Sequence, residues 1–357
     1  MKYYIILTSI HAERIRKESL AESELPQTDL TLLAQSLDAT FITPEPYPIE
    51  VKLIDKVRAK LTSSPENWAF ARAIAPQFTA EDIVFCPGEE IGMPLVSICS
   101  SIKERPKIIV WFHRITGLRS RIALKLFRIG QFVDYALVNS RLNQNFLNNY
   151  LNLREAQIFF WWYPINVNYF AERTKGSSDK PRPLIVSCGL EQRDYRLLAA
   201  ATEELDVDVR VAGFSQFQTI VAKTFPKVMP ENMSNKKYSL PELTKLYRDA
   251  DVVAVCLKQN NGTSGVTVLT EAMSCRKAIV CTRTKGLNDY LNDEQAIMTI
   301  EPGDVAGLKK AILYLLNNLE EAEARAERAY QLANRRHKLE TQVEILTKFM
   351  KNIYESK

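Results

Sequence analysis

Residues 251–291 read DVVAVCLKQNNGTSGVTVLTEAMSCRKAIVCTRTKGLNDYL. A short apolar run, Val252–Cys256, ends in a polar loop, Lys258–Ser264. A helical pattern over Val266–Ser274 follows, and a second apolar run, Ala278–Cys281, comes after it. Two buried strands joined by a helix make the repeating element of a parallel sheet covered by helices. Thr263 and Ser264 are good N-cap residues, so the helix is predicted to open near Gly265. The N–H groups of Gly265, Val266 and Thr267 then point out of the helix start. Such a terminus binds phosphate through backbone donors and the helix dipole. Gly265 lets a ligand approach the backbone closely. Glu271 lies further along the helix, where a carboxylate can accept two hydrogen bonds from a ribose diol. The constellation suits a nucleoside diphosphate.

The same alternation extends in both directions. Downstream of residue 183 the other strand candidates are Leu184–Cys188, Val207–Ala212 and Ala296–Ile300, with helices at Tyr195–Glu204, Leu240–Asp249 and Val305–Leu319. Upstream they are Tyr3–Leu7, Ala39–Ile42, Asp82–Cys86, Lys107–Phe112 and Tyr135–Asn139, with helices at Asp29–Leu37 and Leu95–Ile102. Between the halves, AERTKGSSDKPRP (residues 171–183) reads as a linker. The expected architecture is α/β. One domain covers residues 1–170 and a second covers 184–335, and a final helix over 336–357 packs back on the first. Ligands of such sheets sit at the C-terminal ends of the strands, here in a central cleft between two similar halves. No GxGxxG follows the first strand, which weighs against a nicotinamide-dinucleotide domain.

TSGVTVLTEAMSCRKAIVCT resembles the donor-site signature of glycosyltransferase family 4 (glycosyl transferases group 1), commonly E-G-x-G-x-x-x-x-E-A-M-A-x-G-x-P-V-V. The resemblance implies the GT-B fold, two Rossmann-like domains facing a cleft. It also implies a retaining, metal-independent transfer from a nucleotide-diphosphate sugar. In the family the second glutamate of the signature binds the nucleotide ribose, and here it is Glu271. The amides that bind the diphosphate fall at Ser264 to Thr267. The family's first glutamate falls on Thr263, which puts the donor-sugar contacts in doubt. Its two early glycines fall on Ser264 and Val266. LIVSCGLEQRDY (184–195) is similar to the family's G-R-x-x-x-x-K segment, which supplies two basic residues to the phosphates. Gly189 allows a tight strand exit and Arg193 is the candidate phosphate clamp. Leu190 stands at the first basic position, and Lys258 is the candidate for the missing charge. In KIIVWFHRITG, His113 ends a buried strand where the family often has a histidine close to the reacting sugar. Glu89 and Glu90 (PGEEIG) follow another strand; they bind acceptor hydroxyls or form a solvated turn. The polar stretch IHAERIRKESLAESELPQTD stands where the family has its first-loop glycines, and is expected to form acceptor-side loops.

Composition limits the alternatives. The net charge of +5 is too mild to argue for a nucleic-acid partner. The six cysteines form no CxxC pair and only three histidines occur, so no metal site is expected. No cofactor is expected beyond the nucleotide sugar itself. Two Asp-x-Asp pairs, Asp206 with Asp208 and Asp249 with Asp251, stand where strands begin, at the wrong end for a site. No stretch approaches the roughly 20 apolar residues of a membrane span, and a cytoplasmic location is expected. Between Lys103 and Arg128, however, eight residues are Lys or Arg and one is acidic. Leu118–Phe132 reads as one helix with Leu118, Ile122, Leu126 and Ile129 on one face. Arg121, Lys125 and Arg128 form a stripe beside that face, and Leu124 and Phe127 lie beyond it. It suits an anionic membrane surface, with Leu124 and Phe127 buried in the interface, or a helix packed on both sides. The expected acceptor is a glycan or a lipid-linked group. The alternative function is a non-catalytic protein of this fold that binds a nucleotide sugar or supports a partner enzyme.

Overall fold

The computed structural model describes residues 1–19, 25–171, 180–213 and 223–355. Two compact units emerge, Met1–Trp162 with Glu340–Lys357, and Tyr163–Leu339. Most of the stretch read as a linker, residues 172–179, lies outside the described residues.

The first unit holds a six-stranded sheet in the order β2-β1-β3-β4-β5-β6. Its strands are β1 (Tyr3–Ile6), β2 (Thr40–Ile42), β3 (Ile83–Cys86), β4 (Lys107–Phe112), β5 (Tyr135–Val138) and β6 (Ile158–Phe160). The second unit holds β7 (Leu184–Cys188), β8 (Asp208–Ala212), β9 (Met233–Asn235), β10 (Val252–Val255), β11 (Ala278–Thr282) and β12 (Met298–Ile300). Their order is β12-β11-β10-β7-β8-β9. Every strand pairing is parallel. The central strands β3, β7, β10 and β11 are buried at every position. Helices cover both faces of such sheets, which is why these strands read as unbroken apolar runs. Each fully buried Val, Ile or Phe contributes roughly 1.5–3 kcal/mol.

The last helix, Leu339–Glu355, packs within the first unit. Its Phe349 stacks on Phe159 at 4.2 Å and meets Tyr135 edge-on at 5.4 Å. The Trp161 indole N–H donates to the Gln342 carbonyl at 2.9 Å.

Three local expectations need correction. The helix expected over Leu95–Ile102 runs over Glu89–Cys99 and contains Pro94. Proline cannot donate to the Glu90 carbonyl four residues back. The Ser63 hydroxyl donates there instead, at 2.9 Å, so the turn survives. The polar stretch after β1, expected as loops, begins with a helix over Ser9–Glu18 that buries no residue; its residues 20–24 lie outside the described set.

The third correction concerns Leu118–Phe132. It is two helices, Leu118–Leu126 and Ile129–Phe132, broken where Arg128 turns left-handed at φ 53°. Leu124 and Phe127, expected at a membrane interface, face the protein instead, and of the other face only Ile129 is buried. Ala123 and Leu124 are fully buried and Phe127 packs on Trp68 at 4.8 Å, whereas Leu118, Ile122 and Leu126 are exposed.

Candidate functional site

In the second unit the loops after β7 and β10 are stitched together. Gly189 leaves β7 with φ 86°, a conformation that favours glycine. Its N–H donates to the Ala212 carbonyl at 3.0 Å, which ties it to the end of β8. The Lys258 N–H donates to the Gln192 carbonyl at 2.8 Å, and the Asp194 N–H to the Cys256 carbonyl at 3.0 Å. Asp194 then caps the Tyr195–Thr202 helix through the Leu197 N–H.

Arg193 sits at the middle of this seam, only 4% exposed. Its Nε donates to the Cys188 carbonyl at 2.7 Å and its Nη1 to the Glu191 carbonyl at 2.8 Å. The expectation of an arginine reaching from a loop to clamp phosphate therefore needs correction. Here the guanidinium is a strut that fixes the backbone of the β7 loop. Lys258 is half-buried and its ammonium donates to the Lys223 carbonyl at 2.9 Å.

The helix after β10 spans Val266–Ser274, and its N-cap is Gly265 at φ 98°, not Thr263 or Ser264. No side chain caps it. Thr263 and Ser264 are both buried, and the Ser264 hydroxyl donates to Glu191 Oε1 at 2.8 Å. The Val266 N–H is used by the Thr263 carbonyl at 3.0 Å, so Val266 is not an outward donor. The left-handed cap turns the chain sharply, and the next N–H groups, from Thr267 onward, belong to the helix's unmatched first turn. The Thr267 hydroxyl donates to the Tyr163 hydroxyl at 3.0 Å.

Glu271 stands in the second turn, 8% exposed, and its Oε2 accepts from the Tyr247 hydroxyl at 2.8 Å. Tyr247 comes from the Leu240–Asp249 helix and is fully buried. Burial, with Cys188 and Glu271 close by, pushes its hydroxyl well above the usual phenol range. The phenol therefore stays protonated and is a permanent donor to the carboxylate. Burial also pushes the Cys188 thiol up to about 12, so it is an inert neighbour. Sequence reasoning missed both Tyr247 and Glu191. Tyr247 lies 24 residues before its partner on a different helix, and nothing in the local pattern links the two.

The Asp-x-Asp carboxylates are engaged elsewhere. Arg182 bridges Asp208 at 2.7 Å, Lys180 meets Asp251 at 2.6 Å and Lys245 meets Asp249 at 2.7 Å.

In the first unit, His113 follows β4 directly. Its ring lies 4.4 Å from that of Trp111, and its Nε2 is 3.0 Å from the Pro87 carbonyl. A carbonyl only accepts, so Nε2 carries the proton. Glu89 clamps the same turn, accepting from the His113 and Arg114 N–H groups at 2.9 and 3.0 Å. It is a backbone brace rather than a carboxylate in a solvated turn. Burial and the neighbouring Glu89 charge push Glu90 above the ordinary carboxylate value. Two residues not singled out in the sequence join this group. Burial, then His113 and Arg14, lower His11, and burial raises Asp29. His11, Asp29, Glu90 and His113 thus form one electrostatic cluster around the ends of β1, β3 and β4. The signal available for His11 was position, a few residues after the end of β1; Asp29, at the start of the Asp29–Leu37 helix, had none.

Residues 184–318 match the family described as Glycosyl transferases group 1. Across the whole chain the fold is that of solved glycosyltransferases. Sucrose-phosphate synthase from Thermosynechococcus elongatus superposes with a TM-score of 0.75 at 13% identity, covering 100% of both chains. HepE from Anabaena, solved with UDP and glucose, gives 0.71 at 15% identity over 98% of this chain and 99% of its own. A glycosyltransferase from Rickettsia africae gives 0.70 at 13% identity, again over 98% and 99%. No curated protein matches in sequence. The chain has the fold of GT-B glycosyltransferases. Its second unit carries the glycosyl transferases group 1 domain.

Proposed function

We propose that this chain moves a sugar from a nucleotide-diphosphate sugar to a glycan or lipid-linked acceptor, with retention at the anomeric carbon and without a metal. The observation that carries this reading is the pair Gly265 and Glu271. A helix start without a side-chain cap and a carboxylate oriented by a buried phenol stand on the same helix. The helix start favours the negative charge that grows on the departing diphosphate. The fixed Glu271 carboxylate accepts from the ribose hydroxyls. Thr267 and Gly265 supply donors to the phosphates, while Gly189 and the Arg193 strut hold the adjacent loop in place. Lys258 is close enough in sequence to this loop to add charge once it leaves the Lys223 carbonyl. HepE, of the same fold, was solved with UDP and glucose, which fits this choice of ligand.

In the first unit, His113 is the residue assigned to the reacting sugar, and Glu90 the acceptor-side carboxylate. Retention and metal independence follow from the family resemblance. The paired state of the Asp-x-Asp carboxylates supports the second. The enzyme is read as cytoplasmic, working on the surface of a membrane when its acceptor is lipid-linked. The test is hydrolysis or transfer of UDP-, GDP- and ADP-sugars with and without EDTA; activity that EDTA abolishes and magnesium restores contradicts the metal-free reading.

A second reading has its own observation. With Thr263 in place of the family glutamate, Leu190 in place of a base and Arg193 buried, the donor site holds fewer charges than an active family site. A non-catalytic nucleotide-sugar binder would show donor binding with no turnover, even of the slow hydrolytic kind.

A further inference from the structure

Two helices of the first unit carry apolar side chains into solvent. On Leu53–Ala59 these are Leu53, Ile54 and Val57, at 78%, 47% and 53% exposure. On Leu118–Leu126 they are Leu118, Ile122 and Leu126, at 77%, 46% and 62%. Spacings of three and four residues place each trio along one side of its helix. The helices are physically joined. The Arg119 guanidinium donates to the Ala59 carbonyl at 2.8 Å. Arg58 also lies over the Trp68 ring at 4.9 Å, on which Phe127 packs.

The exposed charges of the two helices and their caps are all positive, with Glu50 the nearest exposed acid before the first helix. Lys52, Lys56 and Lys60 are exposed beside the first trio, and Arg119, Arg121 and Lys125 beside the second. The one acid on either helix, Asp55, is fully buried and bound by Arg72 at 2.7 Å. Arg121 and Lys125 are held over the Tyr150 ring at 5.5 and 4.7 Å, which fixes their charges beside the apolar ridge.

We propose that these two helices form one docking surface for an anionic lipid bilayer. The apolar ridges enter the interface and the cations meet the headgroups. A second copy of the chain is a poor occupant because the two faces would bring cations against cations. A nucleic acid would match the charge but leave six apolar side chains without a role. Among the described residues no helix is long and apolar enough to cross a membrane, so the attachment lies on the surface. The inference deepens, and rests on, the reading that the enzyme meets a lipid-linked acceptor. It also changes which residues insert: Leu118, Ile122 and Leu126, with a second helix, rather than Leu124 and Phe127.

The experiment is co-sedimentation of the full chain with phosphatidylcholine vesicles, with and without phosphatidylglycerol. Nucleoside-diphosphate binding is measured in parallel. Binding is expected only with the anionic lipid at low salt, and it should weaken at physiological salt, where the Debye length is about 8 Å. Leu118→Ser, Ile122→Ser and Leu126→Ser together should reduce it by about tenfold or more, since roughly half of each side chain's transfer energy suffices for that. Lys56→Ser and Lys60→Ser should each reduce it by about fivefold. All five residues are exposed, so all three variants should keep nucleotide binding, which reports that they are folded. Failure of the wild type to sediment at low salt overturns the proposal. So does sedimentation unchanged in all three variants, or self-association in the ultracentrifuge that the triple variant abolishes. Vesicle binding without nucleotide binding would instead leave the surface standing and remove the donor-site reading.

Discussion

The two units place their polar groups at strand ends in different ways. In the second unit, the polar side chains are mostly spent on the protein itself. Arg193 ties down carbonyls, Asp194 caps a helix and Ser264 binds Glu191. What the proposed site offers a ligand is backbone, the Glu271 carboxylate and, once it leaves the Lys223 carbonyl, the Lys258 ammonium. In the first unit, the candidate site is a cluster of ionisable side chains, His11, Asp29, Glu90 and His113, in which burial lowers His11 and raises Asp29 and Glu90. A site made of fixed dipoles suits a ligand of fixed charge, such as a diphosphate. A site made of titratable groups suits hydroxyls, which need both donors and acceptors. The difference implies that mutations in the two units should fail in different ways.

The largest effect is expected at the carboxylate proposed to bind the ribose. Glu271→Ala should abolish transfer and weaken donor binding by roughly 1.5–3 kcal/mol, because the ribose hydroxyls lose a charged acceptor. Calorimetry of donor binding checks it, and an unchanged affinity would remove Glu271 from the site. Arg193→Ala should act on stability instead. Leaving the buried Cys188 carbonyl unpaired costs about 1–3 kcal/mol, read as a lower urea midpoint. If the variant keeps wild-type stability and loses only diphosphate affinity, Arg193 is a clamp and not a strut. Tyr247→Phe should be milder, about 0.5–1.5 kcal/mol in donor affinity, since it frees Glu271 to rotate without removing its charge.

The smallest effects should appear as opposite pH slopes in stability. In the second unit His337 is buried, its Nδ1 3.0 Å from the Tyr163 carbonyl, and burial lowers it to about 4. A depressed histidine binds its proton mainly in the unfolded chain. Its contribution is complete above the unfolded value of 6.5 and falls away as pH drops toward 4. In the first unit Glu90 is raised, so its contribution is present at low pH and is lost as pH rises through its folded value. Urea midpoints at several acidic pH values should therefore show His337→Asn flattening the loss on acidification, while Glu90→Gln removes a loss on going to neutral pH. Parallel shifts in both variants would contradict the contrast.

The fold was legible because it rests on long apolar runs. VVAVC at 252–256 and KIIVWF at 107–112 can be little else than buried parallel strands. The short edge strand β9 buries one of its three residues, Met233, and leaves no such signal. The helix break at Arg128 was not legible, because a left-handed turn at arginine comes from packing and not from local preference. For the same reason the buried face of Leu118–Leu126 was misjudged. That helix is apolar on two sides, and the small Ala123 beside Leu124 marks the packed one. At the candidate site, the helix start at Gly265 and the position of Glu271 within that helix were legible from spacing. The burial of Arg193 was not, since its partners are backbone carbonyls that every sequence possesses.

The central claim is that a nucleoside diphosphate binds at the helix start capped by Gly265. Titration of UDP, GDP and ADP into isotope-labelled protein, with backbone amide resonances followed by NMR, tests it most directly. The account predicts the largest shifts at Gly265 and Thr267, with smaller ones near Glu271 and Gly189, and none of this size for the bare nucleosides. Saturable binding that leaves the Gly265 and Thr267 amides unmoved would contradict it.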